Sequence, residues 1–189
     1  TYNRADMLPE AVESVLSQDY PNFEIIIVDD CSDDGTPEVI ATIARGEGPV
    51  RGVRLAQNSG TAAARNAGLR EARGPLIAFQ DDDDLWMPGR LSAQVEALQR
   101  HPDCALCYGT VLMATPEGEP TSRVFANSDR GRTGDNFEFM LRHHPLLMQS
   151  AVVRAEALEE VGRFDESLDA AEDTDVLLRM MLRHPAAYV

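Results

Sequence analysis

Apolar residues follow two different periods along the chain, and the alternation between these periods predicts an α/β fold. Leu8, Val12 and Val15 recur at the spacing of one helix face, with Pro9 in the first turn, where proline is tolerated. Residues 23–28 form a mostly apolar, β-branched run, which is typical of a strand buried on both faces. Further helical patterns at 36–43, 59–73 and 88–100 alternate with strand-like runs at 50–55 and 75–79. This alternation predicts a three-layer α/β fold with a mostly parallel central sheet.

Beyond residue 113 the predicted elements become less regular. Two prolines and three glycines within residues 114–134 predict a turn followed by a mobile loop. Residues 150–154 then predict a strand, and residues 155–161 and 172–184 predict helices. The chain contains no internal repeat and no linker, so we expect a single domain over 1–189. Its first strand and its C-terminal end are expected to lie outside this sequence.

The charge balance narrows the class of partner. The chain holds 17 basic and 32 acidic residues, which give a net charge of −15 at pH 7. This charge argues against nucleic-acid binding, which needs a basic face. A phosphorylated ligand would also be repelled unless a cation lay between it and the protein. No run approaches the ~18 consecutive apolar residues of a membrane span.

The three cysteines are predicted to be structural. An odd count, Cys31, Cys104 and Cys107, favours reduced thiols in a cytoplasmic protein. Cys104 and Cys107 have the spacing of a C-x-x-C motif, but residues 104–113 are apolar and predict a strand, on which the two thiols would point to opposite faces. No second cysteine pair is present to complete a zinc site, so we interpret both as small core residues.

Acidic residues cluster where two predicted strands end. Asp29 and Asp30 follow the strand at 23–28, and four aspartates at 81–84 follow the strand at 75–79. In an open α/β sheet, ligands bind in the crevice beyond the carboxyl ends of the strands. Acidic clusters can also simply cap the next helix or remain solvated, and Asp33 and Asp34 fit such a turn around Gly35. Two clusters at one sheet edge nevertheless favour a ligand site.

The run of four aspartates, residues 81–84, predicts a cation site. Their mutual repulsion is costly unless a positive charge lies among them. Mg²⁺ and Mn²⁺ prefer carboxylate oxygens, commonly one or two protein carboxylates together with substrate phosphates. A bound divalent cation would let a phosphorylated ligand approach this acidic chain. On these residues alone, phosphoryl transfer and glycosyl transfer are equally supported.

Five segments, in this order, resemble the motifs of family-two glycosyltransferases, which are inverting enzymes with the GT-A fold. The segments are residues 1–4 (TYNR), 25–36 (IIIVDDCSDDGT), 58–68 (NSGTAAARNAG), 79–86 (FQDDDDLW), and 161–166 (VGRFDE) taken with 172–173 (ED). Each motif alone is weak, whereas their common order along nearly the whole chain is specific. Gln80 departs from the family pattern, which usually has an apolar residue there.

The resemblance assigns roles to residues of a donor site. It implies that Asp30 accepts a hydrogen bond from the nucleobase, that Tyr2 packs near the base ring and that Asp82 reaches the ribose. It also implies that Asp83, with Asp81 close by, binds the Mn²⁺ or Mg²⁺ that bridges the donor diphosphate. Asp81 thus belongs to both the substrate-binding and the metal-binding set.

The resemblance further implies that Asp173 is the general base that deprotonates the acceptor hydroxyl, with Glu172 beside it. Thr1, Arg4 and Arg65 complete the implied substrate-binding set. A carboxylate on the attacking side and a cation on the leaving side meet the two charge demands of an inverting transfer. Without the other motifs, we would interpret the Glu172–Asp173 pair as ordinary negative charge at a helix N-terminus.

The implied reaction moves a sugar from a nucleoside-diphosphate-sugar, most often a uridine diphosphate (UDP) sugar in this family, to an acceptor hydroxyl. We expect it to serve polysaccharide, cell-envelope or other glycoconjugate biosynthesis. Residues 1–112 are expected to bind the nucleotide-sugar, and residues 113–189 to form the acceptor side. The expected location is cytoplasmic, with peripheral membrane association through segments outside this sequence.

Two other functions remain open at this point. A nucleotidyltransferase would also use an α/β sheet and a carboxylate-bound metal, but it should carry a Gly-rich phosphate loop with a basic residue near the N-terminus, and none is present. A sugar-nucleotide-binding domain without turnover is the third reading. Intact Asp83 and Asp173 argue against it.

Overall fold

The structure is a computed structural model that describes residues 1–46, 48–115, 118–126, 131–143 and 147–189, with only the main chain for residues 125, 126 and 143. Two units can be distinguished within it. The first unit contains residues 1–74, 80–89 and 164–172, and the second contains residues 75–79, 90–163 and 173–189. Each unit therefore draws on separate stretches of sequence.

The first unit is built from the alternating pattern at the start of the chain. Its elements are α1 (Leu8–Leu16), β1 (Ile25–Asp29), α2 (Thr36–Ala44), β2 (Val50–Arg54) and α3 (Gly60–Glu71). Strands β1 and β2 pair in parallel, with Ile25 opposite Val50 and Asp29 opposite Arg54. Leu8, Val12, Ile27, Ile40 and Val50 form the core between these helices and strands. The predicted helices and strands of this region are confirmed.

The start of α2 is fixed by Asp34. Thr36 could cap a helix by its residue type, but it is the first helical residue and follows Gly35. Asp34 instead accepts the Thr36 N–H at 2.8 Å, and hydrogen bonds from Thr36 hold the pKa of Asp34 below its usual value. The Thr36 hydroxyl, which is fully buried, accepts a hydrogen bond from the Arg4 N–H at 3.0 Å. The threonine therefore fixes the N-terminal segment and does not cap the helix.

The second unit contains a four-stranded sheet with neighbours in the order β3–β7–β4–β8. These strands are β3 (Leu76–Ala78), β4 (Leu106–Tyr108), β7 (Ala151–Arg154) and β8 (Ala186–Tyr188). Strand β7 runs antiparallel to β3 and β4, whereas β4 and β8 are parallel. This four-stranded sheet is therefore mixed. The expected parallel order is interrupted at β7, which lies between β3 and β4 and runs in the opposite direction.

The helices of this region are α4 (Arg90–Arg100), α5 (Phe137–His143), α6 (Ala155–Val161) and α7 (Glu172–Met181). Helix α4 is joined to the sheet by Gln94, which is 1% exposed and donates to the carbonyls of Cys107 and Ser150. Such a buried amide is stable only because its polar atoms find partners. No helix in the described ranges is long and apolar enough to cross a membrane.

The cysteine interpretation is confirmed for the C-x-x-C pair. Cys104 and Cys107 are 1% and 0% exposed, and all three cysteines are free. Burial raises the pKa of the Cys107 thiol to about 12. A thiol that stays protonated at neutral pH is a poor nucleophile and a poor metal ligand, so this pair serves packing.

The prediction of a mobile loop at 114–134 is wrong for most of the residues that the structure describes there. Strand β5 (Val111–Ala114) and strand β6 (Pro120–Ala126) form an antiparallel hairpin with two register shifts. Gly134 then pairs with Ala186 at the edge of the four-stranded sheet. Residues 116–117 and 127–130 of the predicted loop lie outside the described residues.

Candidate donor-binding site

The two aspartates at the end of β1 have different environments. Asp29 is 2% exposed; it forms an ion pair with Arg54 at 2.7 Å and accepts the Ser32 N–H at 2.9 Å. Its carboxylate thus closes the turn after the strand. Asp30 is also buried, and its two oxygens accept the N–H groups of Ser59 at 2.7 Å and Gly60 at 2.8 Å, where α3 begins. These two main-chain donors hold the Asp30 carboxylate in one orientation at the start of α3.

Residues 1–4 lie beside β1, held by main-chain bonds. The main-chain nitrogen of Thr1 donates to the Val28 carbonyl at 2.7 Å, and the Asp30 N–H donates to the Thr1 carbonyl at 2.9 Å. Asn3 donates its N–H to the Ser32 hydroxyl and accepts the Asp33 N–H, both at 2.9 Å. Tyr2 is therefore anchored on both sides in sequence, yet its side chain is 44% exposed and open to a ligand.

Residues 81–84, which we call the acidic loop, form a turn closed by its neighbours. The Asp84 N–H donates to the Asp81 carbonyl at 3.2 Å, and the Gln80 amide donates to the Asp84 carbonyl. Gln80, the departure from the family pattern, thus supports the loop from within. Trp86 is 8% exposed and its main-chain N–H donates to the Ser14 hydroxyl, so the residue is packed within the first unit.

Two arginines offset part of the negative charge of the acidic loop. Arg4 lies 3.1 Å from the Asp83 carboxylate and 3.8 Å from that of Asp82. Arg65 lies 3.0 Å from the Asp81 carboxylate and, through its other terminal nitrogen, 3.0 Å from that of Glu172. The repulsion expected among consecutive aspartates is therefore offset within the protein itself.

Arg65 and its neighbour Asn66 fasten the segment that precedes α7. The Arg65 guanidinium lies 5.5 Å from the centre of the Phe164 ring and is itself 12% exposed. Asn66, which is 5% exposed, donates to the Phe164 carbonyl at 2.9 Å and to Glu166 at 2.8 Å, and it accepts the Phe164 N–H at 3.2 Å. The two neighbouring side chains therefore hold residues 164–166 against the start of α3.

The acidic loop fits a divalent cation of the Mg²⁺ or Mn²⁺ type. Among the described residues, no three His, Cys, Asp or Glu side chains form a ready-made cation site. Mg²⁺ is commonly bound by only one or two carboxylates, with phosphate and water oxygens completing its shell. The Asp83 side chain is 46% exposed, so its carboxylate is reachable from solvent. Asp83 and Asp81 provide oxygen donors of the right kind for such shared binding.

Asp173, the predicted general base, lies in the second unit. It is the second residue of α7, as the sequence predicts, and is half-buried. Its Oδ1 accepts the Thr174 N–H at 2.6 Å and lies 3.4 Å from the Thr174 hydroxyl. Within the part of the chain that the structure describes, Oδ2 accepts no hydrogen bond, so one oxygen is oriented and the other is open to a proton.

The structure brings together nine of the predicted site residues in the first unit: Thr1, Tyr2, Arg4, Asp30, Arg65, Asp81, Asp82, Asp83 and Glu172. Sequence reasoning missed the donors to Asp30, although the N-x-G motif that contains them was visible. It also missed Asn3 as the tie between residues 1–4 and the turn after β1. A main-chain N–H group is present in nearly every residue, so the sequence does not reveal which of these groups donate to a site.

Replacing Arg65 by Met is expected to destabilise the protein by about 1–3 kcal/mol, because two partly buried carboxylates lose their shared donor. Urea unfolding measures the loss. Arg70→Met is the matched control on α3, because Arg70 is exposed. Unchanged stability in Arg65→Met would show that the bridge contributes nothing.

Comparison with known proteins identifies the family. Residues 1–162 match the model of glycosyl transferase family 2. TuaG of Bacillus subtilis, whose name assigns it to teichuronic acid biosynthesis, is 35% identical over 136 residues, or 72% of this chain and 53% of TuaG. The chain spans about half the length of such curated relatives.

The solved structures that align with the whole chain include two with a sugar nucleotide. Residues 1–349 of Staphylococcus aureus TarS with UDP-GlcNAc have a TM-score of 0.78 and 21% identity, over 56% of that fragment. The Pyrobaculum calidifontis mannosyltransferase PcManGT, with GDP-Man and Mn²⁺, has a TM-score of 0.75 and 24% identity, over 52% of that protein. These likenesses show the GT-A fold and confirm the predicted three-layer α/β class. Because the family match extends over most of its length, the chain belongs to glycosyl transferase family 2.

Proposed function

We propose that this chain carries the donor site and the general base of a metal-dependent, inverting glycosyltransferase. Its donor is a nucleoside-diphosphate-sugar, with uridine as the preferred nucleoside, and its acceptor is a hydroxyl group. The observation that carries the proposal is the joint placement of Asp30, the acidic loop and Arg65 in one unit. These side chains provide a nucleobase acceptor, metal-type oxygen donors and a cation within a chain of the matching family.

The proposed donor contacts follow from the exposure and orientation of each group. Asp30 is held by two main-chain donors and can receive an N–H from the edge of a nucleobase. Tyr2 offers an exposed ring on which the base can stack. Asp82 is assigned to the ribose, and Asp83 with Asp81 to the cation. When bound, Mn²⁺ or Mg²⁺ supplies Lewis-acid stabilisation of the negative charge that develops on the leaving diphosphate.

Asp173 is proposed to remove the proton from the acceptor hydroxyl. Thr174 orients one oxygen of its carboxylate, and the other oxygen is the one we assign to the proton. The acceptor oxygen then attacks the anomeric carbon on the face opposite the leaving diphosphate, which inverts the anomeric configuration. A positioned base raises the rate by about 10²–10⁴-fold. The rest of the rate enhancement is assigned to positioning of the substrates and to stabilisation of the charge on the leaving diphosphate.

The biological role that we propose is cell-envelope or exopolysaccharide biosynthesis. The support is the biosynthetic role in the names of relatives such as TuaG, together with sugar-nucleotide complexes of structural neighbours. We assign residues 1–112 to donor binding and 113–189 to the acceptor side.

Calorimetric titration with UDP, GDP and dTDP, each with and without Mn²⁺, tests the proposed function. We expect UDP to bind most tightly and Mn²⁺ to strengthen binding about tenfold or more, because the cation offsets the repulsion between diphosphate and carboxylates. Absence of nucleotide binding, or equal binding without metal, would contradict the proposal. Release of pyrophosphate from a nucleoside triphosphate and a sugar phosphate would instead identify a nucleotidyltransferase.

A further inference from the structure

Arg4 occupies the carboxylates that the proposed function gives to the donor and its metal. Its terminal nitrogen donates to Asp83 at 3.1 Å and lies 3.8 Å from Asp82. The hydrogen bond with Asp83, with the charges of Asp82 and Asp83, raises the pKa of the Arg4 guanidinium above its usual value. The side chain therefore holds a permanent positive charge at the acidic loop.

The main chain places Arg4 firmly, although its side chain is partly exposed. Its N–H donates to the buried Thr36 hydroxyl at 3.0 Å, and its carbonyl accepts the N–H groups of Met7 and Leu8, both at 3.1 Å. The same terminal nitrogen also lies 3.3 Å from the Met7 sulfur. An arginine anchored in this way reaches the acidic loop from a fixed base, so less freedom is lost when the ion pair forms.

We propose that Arg4 is a built-in competitor of the divalent cation: it neutralises Asp82 and Asp83 while the donor is absent, and it transfers to the diphosphate when cation and nucleotide bind together. This inference rests on the proposed function. A cation that arrives alone must displace the guanidinium and leave it without a partner. A cation that arrives with a diphosphate brings a new anionic partner for the same guanidinium.

The competition makes metal and nucleotide binding cooperative. Each ligand removes a cost that the other would meet alone, so the affinity for one rises when the other is present, by the same factor in both directions. The effect is modest, because Arg4 and Asp83 are 41% and 46% exposed and solvent screens their attraction. In the free protein Arg4 nevertheless offsets part of the negative charge of the acidic loop, which disfavours capture of adventitious cations.

Mn²⁺ titration of the nucleotide-free protein tests the inference. In low salt we expect Arg4→Gln to bind Mn²⁺ about two- to fivefold more tightly than the parent protein, and this ratio should approach one at high salt. The matched control is Arg45→Gln, which removes the same charge from the same unit. Among the described residues, the Arg45 side chain bonds only the Ala41 carbonyl. Its replacement should therefore leave the Mn²⁺ affinity unchanged.

Two further measurements separate competition from other effects. With UDP present, the advantage of Arg4→Gln should vanish or reverse, because the variant has lost a phosphate partner. Arg4→Lys keeps a competing charge and should bind Mn²⁺ about as tightly as the parent protein, and clearly less tightly than Arg4→Gln. Equal Mn²⁺ affinity of Arg4→Gln and the parent protein, or Arg4→Lys binding as tightly as Arg4→Gln, overturns the inference and leaves the proposed function intact. No Mn²⁺ binding to any variant, with or without UDP, overturns the metal site of the proposed function as well.

Discussion

Asp173→Asn is expected to lower the turnover number for sugar transfer by about 10²–10⁴-fold while donor affinity stays within about twofold, because the substitution removes only the proton acceptor. Asparagine has the shape of aspartate, and its side-chain oxygen can still accept the Thr174 N–H that orients Asp173. The start of α7 should therefore keep its geometry. A fall in turnover without a fall in donor binding is the signature of a lost base.

Steady-state transfer assays and calorimetric titration with the donor nucleotide measure these two quantities. Asp175→Asn is the matched control: it makes the same change two residues further along α7, at a carboxylate that pairs with Arg179 at 2.6 Å. That variant should lose some stability and keep most of its turnover. A fully active Asp173→Asn protein would exclude Asp173 as the base.

Asp83→Asn is expected to remove most of the metal-dependent part of donor binding. Loss of an outer contact to a metal ligand already costs about 10- to 100-fold in affinity or activity, so loss of a ligand should cost at least as much. Binding of the nucleotide without metal should change little. The variant also frees Arg4 from its closest carboxylate, although Asp82 remains within 3.8 Å.

The experiment compares UDP titrations in Mn²⁺ and in chelator for Asp83→Asn and for Asp6→Asn. Asp6 is an exposed carboxylate of the same unit, so its replacement controls for the loss of one negative charge. We expect the strengthening by Mn²⁺ to persist in Asp6→Asn and to be lost in Asp83→Asn. Equal strengthening in the two variants would move the metal away from Asp83.

Much of the first unit could be predicted because its elements are encoded locally. The apolar spacing around Val12 predicts a helix, and α1 lies there. The β-branched run at 25–28 predicts a strand, and β1 lies there. The β5–β6 hairpin could not be found in the same way. Its strand β5 is largely exposed, so it has no buried face to impose a period, and prolines and glycines dominate the local signal.

Residue chemistry alone predicts a ligand site but not the role of each residue in it. Acidic clusters at strand ends indicate such a site, and only the family resemblance singles out Asp30; the structure adds that Asp29 is paired with Arg54 at 2.7 Å. The bracing of residues 164–166 depends on Asn66, 98 positions away from Phe164 in sequence. Partners so distant in sequence leave no spacing that a single chain can reveal.

The way in which Asp30 is held has a consequence for which nucleobases the site can accept under the proposed function. A carboxylate accepts hydrogen bonds, and here two main-chain N–H groups fix both of its oxygens. A base edge that meets it must therefore donate. Uracil, thymine and guanine can donate through a ring N–H on their pairing edge, whereas cytosine and adenine present a bare ring nitrogen there and can donate only through the exocyclic amino group. Under the proposed function, the hydrogen bonds at the start of α3 thus fix where the donor base must place an N–H group.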